Sequence, residues 1–141
     1  YIIPKYHSKI LLEEAKLFSD WYIQKKLAPL QRKIFKRKFV IIIKNLIEEL
    51  LLKNNILVHR DFHVSNLMII KNKIGLIDTQ DALIGNKAYD LASLIDDVRF
   101  KTSENFKKKI FDYYLKSQKK INNQHFKNDF EIISVLFNFL K

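Results

Sequence analysis

Between Leu57 and Leu67 the chain reads Leu-Val-His-Arg-Asp-Phe-His-Val-Ser-Asn-Leu, and a second acidic segment, Ile77-Asp78-Thr79-Gln80-Asp81, follows soon after it. Asp61 comes directly after a short apolar strand, on a loop, where a carboxylate can accept the proton of an attacking hydroxyl. Asn66 offers a hard carbonyl oxygen suited to Mg²⁺. Asp78 adds a charged oxygen able to bridge such a metal to nucleotide phosphates. Between them, apolar Leu67–Ile70, polar Lys71-Asn72-Lys73 and apolar Ile74–Ile77 read as strand, tight turn, strand. A hairpin returns the chain, so Asp78 is expected beside the loop that holds Asp61 and Asn66. Taken singly, each of these residues is an ordinary loop aspartate or turn asparagine. The ordered set points to a magnesium–phosphate complex with a general base.

His59 and His63 flank Asp61 four residues apart. Such a pair binds zinc when it lies on a helix, but here it spans a loop, and no Cys or evident third ligand accompanies it. The favoured reading packs His59 beneath the loop, bonded to its backbone, and puts His63 on the phosphate or acceptor side. Asp90, in Tyr89-Asp90-Leu91, opens a helix. It serves there as charge complementarity to the helix N-terminus, as a buried brace for the Asp61 loop, or as both.

The elements that must position these residues follow from periodicity. Ser8 is read as the cap of a helix towards Leu27 with Leu11, Ala15, Phe18 and Tyr22 inward, and Ala28-Pro29 as its end. A second helix is predicted from about Gln31 to Lys53, with Phe35, Phe39, Ile42, Leu46, Ile47 and Leu50 as its buried stripe and Asn54-Asn55 as its stop. Ile56–Val58 reads as a strand, and Asp78 to Lys87 as a polar loop. Three further helices are marked by Leu91, Leu94, Ile95 and Val98 (within Ala88 to Phe100), by Phe106, Ile110 and Tyr114, and by Phe126, Phe130, Ile133, Phe137 and Leu140. The pattern is a mostly helical α+β unit within one domain.

Composition sets the limits. Of 141 residues, 48% are hydrophobic, enough for a core. The absence of Cys excludes disulfides and thiolate metal sites and agrees with a reducing, cytoplasmic setting. No apolar run approaches the roughly 20 residues of a membrane span, and the amino terminus is not a signal peptide. Because residue 1 is Tyr, the chain is read as processed, trimmed or internal. The net charge of +11 admits a polyanion partner. Yet Lys is scattered and no basic stripe carries interleaved aromatics, so nucleic-acid binding is the weaker reading, with Arg32-Lys33 and Lys36-Arg37-Lys38 its best support.

His59-Arg60-Asp61 followed by Asn66, and Asp78 after a hairpin, resembles the catalytic and metal loops of eukaryotic-like kinases. The run His59-Arg60-Asp61-Phe62-His63-x-x-Asn66 is closer to the aminoglycoside phosphotransferase family, with its H-[GR]-D-x-H-x-x-N signature. Asp78-Thr79-Gln80-Asp81-Ala82, Gly85 and Tyr89-Asp90-Leu91-Ala92-Ser93-Leu94 look most like its branch of bacterial kinases for the anomeric position of N-acetylmuramate and N-acetylglucosamine in cell-wall recycling. The specific likeness covers about His59 to Asp96.

The resemblance implies transfer of the γ-phosphate of ATP to a hydroxyl of a small molecule, an amino sugar being favoured. It makes Asp61 the catalytic base, Asn66 and Asp78 the Mg²⁺ ligands and Asp90 the structural aspartate, with His63, Gln80 and Asp81 near the acceptor. Asp78-Thr79 stands where the family has Asp-Phe or Asp-Trp, which changes the packing beneath the metal site. The family's N-terminal β lobe, with its Gly-rich loop and phosphate-orienting Lys, has no counterpart here: the chain has only Gly75 and Gly85. Residues 1–141 therefore read as most of a C-terminal lobe of the kinase-like fold, of low activity alone. The alternative is a non-catalytic kinase-like binding module or a decayed fragment.

Overall fold

The computed structural model describes residues 3–97, 99–118 and 121–138. Helix α1 (Ser8–Leu17) runs into a π turn (Phe18–Tyr22) and a 3-10 turn (Ile23–Lys25). Leu11 and Ala15 are buried as the periodicity predicts. The π turn then carries one extra residue and shifts the inward phase. Ser19 and Ile23 turn in, while Tyr22 is exposed and stacks on Phe18. His7, not Ser8, holds the N-cap position, with no side-chain bond.

Helix α2 (Pro29–Glu48) places Pro at its first position, where a missing N–H leaves nothing unsatisfied. Its buried residues are Phe39, Ile43 and Ile47. Ile42, predicted inward, is 56% exposed, whereas Ile43 is 0% exposed. Val40-Ile41-Ile42-Ile43 is apolar around a full turn, so periodicity alone cannot choose the face. Packing against α1 chooses it.

The helix also stops at Glu48, short of the predicted Lys53. Just beyond it, the Leu51 and Leu52 N–H groups donate to the Asp129 carboxylate at 2.8 and 2.9 Å. Asp129 lies on the last helix, α5 (Asn123–Asn138), and is fully buried there among Phe126, Ile133 and Phe137. It also accepts the Asn86 amide at 2.6 Å.

Four strands follow α2. β1 (Ile56–Val58) pairs antiparallel with β4 (Leu83–Gly85), with Val58 opposite Leu83. β2 (Leu67–Ile70) and β3 (Lys73–Leu76) form the expected hairpin, with Leu67 opposite Leu76. Lys71 and Asn72 turn it with φ of 47° and 61°, the left-handed pair that suits two-residue hairpins. β4 corrects the sequence reading, which put Leu83–Gly85 in a polar loop. The partners of β4 are remote: β1 on one edge, and on the other residues 4–6, through Tyr6 N–H to the Ile84 carbonyl at 2.7 Å and Ile84 N–H to the Pro4 carbonyl at 2.8 Å.

Helix α3 (Tyr89–Ile95) is shorter than predicted. Val98 and Leu140, both read as core, lie outside the described residues. Ser103 caps α4 (Glu104–Ser117) by accepting the Phe106 N–H at 3.3 Å, and Phe106 itself is exposed. The α1, α2, α3 and α5 faces close around one core that reaches β1 and β4 through Val58 and Leu83. The architecture is α+β, with five α-helices and two small antiparallel sheets among the described residues.

Asp129→Ala strips the acceptor from the part-buried Leu51 and Leu52 N–H groups, from the buried Asn86 amide and from the Asn128 amide at once. Unsatisfied buried groups cost about 1–3 kcal/mol each. Urea unfolding is expected to show a loss of at least ~3 kcal/mol, and of clearly less for Asp129→Asn, which keeps one acceptor oxygen.

Candidate active site

The loop from His59 to Asn66 is held from two sides. From below, Asp90 in the first turn of α3 accepts the His59 N–H at 2.9 Å and the Arg60 N–H at 3.2 Å, one with each carboxylate oxygen. From the hairpin side, Ile77 makes two bonds through its own peptide groups. Its N–H donates to the Asn66 carbonyl at 3.1 Å, and its carbonyl accepts from His59 Nε2 at 2.9 Å. A carbonyl only accepts, so His59 carries its proton on Nε2. His59 thus bonds the segment after the hairpin rather than its own loop. These bonds tie Ile77, the residue before Asp78, to both ends of the loop.

Within the loop, a 3-10 turn (Val64–Asn66) buries Asn66, whose Nδ2 donates to the Asp61 carbonyl at 2.9 Å. That bond turns the amide so that Oδ1 has no protein partner among the described residues. Asp78 sits at φ 65°, in the left-handed region that aspartate tolerates better than most residues. The Gln80 amide donates to its Oδ1. No Lys or Arg among the described residues pairs with either of these two hard oxygen groups, the Asn66 amide and the Asp78 carboxylate. Among the described residues no three His, Cys, Asp or Glu side chains group closely enough to hold a metal by themselves. A donor set this sparse suits Mg²⁺, which keeps waters and takes phosphate oxygens to complete six-fold coordination.

Asp61 itself opens on a cleft of about 450 Å³. His63 and Asp81 share the lining, and Gln80, tied to Asp78, does not. The same wall holds residues that the sequence reading did not single out: Glu14, Tyr89 and Arg99.

Glu14 accepts Arg60 Nη2 at 2.5 Å and the Tyr6 hydroxyl, with the Tyr89 hydroxyl at 3.4 Å. Burial first, then Tyr89 and Glu14, pushes the Tyr6 phenol well above its ordinary range. Burial and Glu14 raise Tyr89 likewise, so both stay protonated donors. Burial pulls the Arg60 guanidinium down, but its hydrogen bond to Glu14 and the charge of that carboxylate leave it raised overall. Arg60 has φ 74°, a conformation that strains a side-chain-bearing residue. Glu14 from α1 and Asp90 from α3 hold it there. The available signal was Glu14 itself, a charged residue between Leu11 and Ala15 on the inward stripe.

Residues 2–123 match the family model of APH, the phosphotransferase enzyme family. The chain belongs to this family. It is similar to an N-acetylmuramate/N-acetylglucosamine kinase of Neisseria meningitidis, at 35% identity over 74% of this chain and 31% of that protein. A Pseudomonas putida protein of the same name is 33% identical over 67% of this chain and 28% of its own length. The chain thus spans about a third of the curated relatives it matches. Family membership bears on the His59–Asn66 loop, β2–β3 and Asp78, all within the matched stretch. No helix among the described residues is long and apolar enough to cross a membrane.

Asp90 decides whether the loop keeps its shape. Burial raises its carboxyl above the ordinary value, and the two N–H bonds oppose this in part. A raised folded pKa means that protonation of Asp90 contributes stability, present in full below about pH 4 and lost as pH rises through the folded value. Asp90→Asn offers one acceptor to two N–H groups. It is expected to cost about 1–3 kcal/mol at pH 7, with the penalty growing as pH falls towards 4, measured by urea unfolding at both pH values.

Proposed function

We propose that this chain is the C-terminal lobe of a cytoplasmic, ATP- and Mg²⁺-dependent small-molecule kinase that moves the γ-phosphate of ATP to a hydroxyl of an amino sugar. The observation that carries the reading is the pair of Ile77 bonds, which ties the residue before Asp78 to Asn66 and His59 at the two ends of the loop that holds Asp61. The printed names of the relatives favour an amino sugar, as cell-wall recycling would require.

In this mechanism the acceptor lies in the cleft with its hydroxyl at Asp61, which orients it and takes its proton as the new O–P bond forms and the bond from the γ-phosphorus to the ADP oxygen breaks, ADP leaving. Asn66 Oδ1 and the Asp78 carboxylate would hold Mg²⁺, which would supply charge neutralisation to the phosphate oxygens. His63 and Asp81 line the acceptor side. Gln80 orients the Asp78 carboxylate through its amide. Asp90 and His59 keep the two loops in register, so catalysis here is mainly positioning. The outer faces of the hairpin carry exposed Ile69 and Ile74, apolar surface that a preceding nucleotide-binding β lobe would cover.

Mg²⁺-dependent ADP release by the full-length gene product tests this, with N-acetylmuramate, N-acetylglucosamine and an aminoglycoside offered in parallel. Sugar-dependent release is expected, with kcat lowered about 10²- to 10⁴-fold in Asp61→Asn. Chelation should stop the reaction. Asp78→Ala should lower the rate and raise the Mg²⁺ concentration needed for half-maximal activity. Full activity in Asp61→Asn would remove Asp61 from its role. No release with any acceptor, and no Mg-ATP binding, would leave the non-catalytic module.

A further inference from the structure

The cleft beside Asp61 carries a cation that phosphate transfer itself does not require, and we propose that Arg99 recognises a carboxylate on the acceptor, so that an acidic amino sugar such as N-acetylmuramate is preferred over its neutral counterpart. This rests on the amino-sugar kinase reading above. The charged residues of the wall are Glu14, Asp61, Asp81, Arg60 and Arg99. Glu14 and Arg60 are paired with each other at 2.5 Å with both side chains largely covered, whereas Arg99, paired with Asp97 at 2.8 Å, keeps half of its side chain exposed. What remains facing a ligand is two carboxylates, Asp61 and Asp81, and one guanidinium, Arg99. A negatively charged acceptor entering between those carboxylates needs a fixed positive group.

Arg99 is built for that task. Its Nε donates to Asp97 Oδ1 at 2.8 Å and its Nη2 to Asp97 Oδ2 at 3.3 Å. The Asp97 carboxylate also accepts the Arg99 N–H at 3.1 Å, closing a local clamp. Asp97 is buried and is not part of the cleft wall, whereas the Arg99 side chain is 51% exposed. The guanidinium plane is thus anchored from behind by one edge. A guanidinium has five N–H donors. Two are held by Asp97, and the Nη1 pair with the second Nη2 hydrogen is left for a ligand. That remaining edge matches a carboxylate with two parallel bonds, which the point charge of a lysine cannot reproduce.

N-acetylmuramate is N-acetylglucosamine with an ether-linked carboxylate added, ionised at neutral pH. The acid gains a charge-assisted pair with Arg99. The neutral sugar leaves Arg99 in water, at no desolvation cost. The cleft therefore discriminates by added attraction and still admits both sugars.

The test is kcat/KM for the two sugars in the full-length protein and in Arg99→Gln. A charged hydrogen-bond pair corresponds to about 10- to 100-fold, and the ratio of N-acetylmuramate to N-acetylglucosamine is expected to fall by that factor in the variant. A ratio unchanged by Arg99→Gln overturns the inference and leaves the sugar kinase standing. Transfer to neither sugar by the parent protein overturns both. The methyl ester of N-acetylmuramate, offered to the unmutated protein, tests the same contact without a mutation. It should lose the same factor, and an ester used as well as the acid sinks the proposal whether or not Arg99→Gln folds.

Discussion

The site depends on one residue's peptide groups, those of Ile77. Its N–H and carbonyl are bonded to Asn66 and His59, which lie at opposite ends of the loop that carries Asp61. One bond joins backbone to backbone and the other ends on the His59 imidazole, and because both are made by the same residue they fix the direction of the Ile77 segment as well as its distance from the loop. The β2–β3 hairpin supplies the reach, its two-residue turn fixes the register, and the register decides that Ile77 and not a neighbour meets the loop. A slip of one residue would reverse the faces and aim Asp78 away.

Around this pair of bonds the molecule uses carboxylates, Asp129 fully buried and Asp90 half-buried, as receivers of backbone N–H. Asp90 holds the start of the Asp61 loop, and Asp129 holds the segment between α2 and β1. No cation shares either group in the bonds observed. Backbone N–H groups cannot swing away as a lysine can, and each would itself be costly to leave unpaired in the interior. The arrangement converts two non-helical stretches, awkward to bury, into satisfied ones. It also ties the order of the loop to the packing of α3 and α5, so that core and site stand or fall together.

Much of this was legible from local pattern. The hairpin, the strand before Asp61 and the helical character of both flanks followed from apolar period and turn residues within short windows. What escaped was non-local. Leu83–Gly85 is too short and too closely flanked by polar residues to declare itself, and its partners lie at residues 4–6 and 56–58. Ile42 and Ile43 could be told apart only by what α1 presents to them. The π turn at Phe18–Tyr22 breaks the period that identified the helix, and so moves Tyr22 outward. Glu14 and Asp129 were visible as charges on apolar stripes, but their partners, Arg60 and the Leu51–Leu52 peptide groups, belong to other segments. For the proposed chemistry, residue order singled out Asp61, Asn66 and Asp78, while the structure puts Asp61, His63 and Asp81 on the cleft wall and ties Gln80 to Asp78.

Arg60 shows how such a site accommodates strain. The signature that its segment resembles admits glycine or arginine at this position, and glycine would adopt φ 74° freely. Arginine there costs on the order of 1–2 kcal/mol, and would drift to a relaxed conformation if nothing opposed it. Its N–H is held by Asp90 and its guanidinium by Glu14, at opposite ends of the residue. The strained backbone therefore persists only while α1 and α3 are both docked. A glycine would have left the loop indifferent to α1. Arginine makes the position of Asp61 report on it, because the same Glu14 also receives Tyr6, whose N–H pairs with β4. One substitution type within a short signature thus joins the first helix, the small β1–β4 sheet and the Asp61 loop into a single mechanical unit.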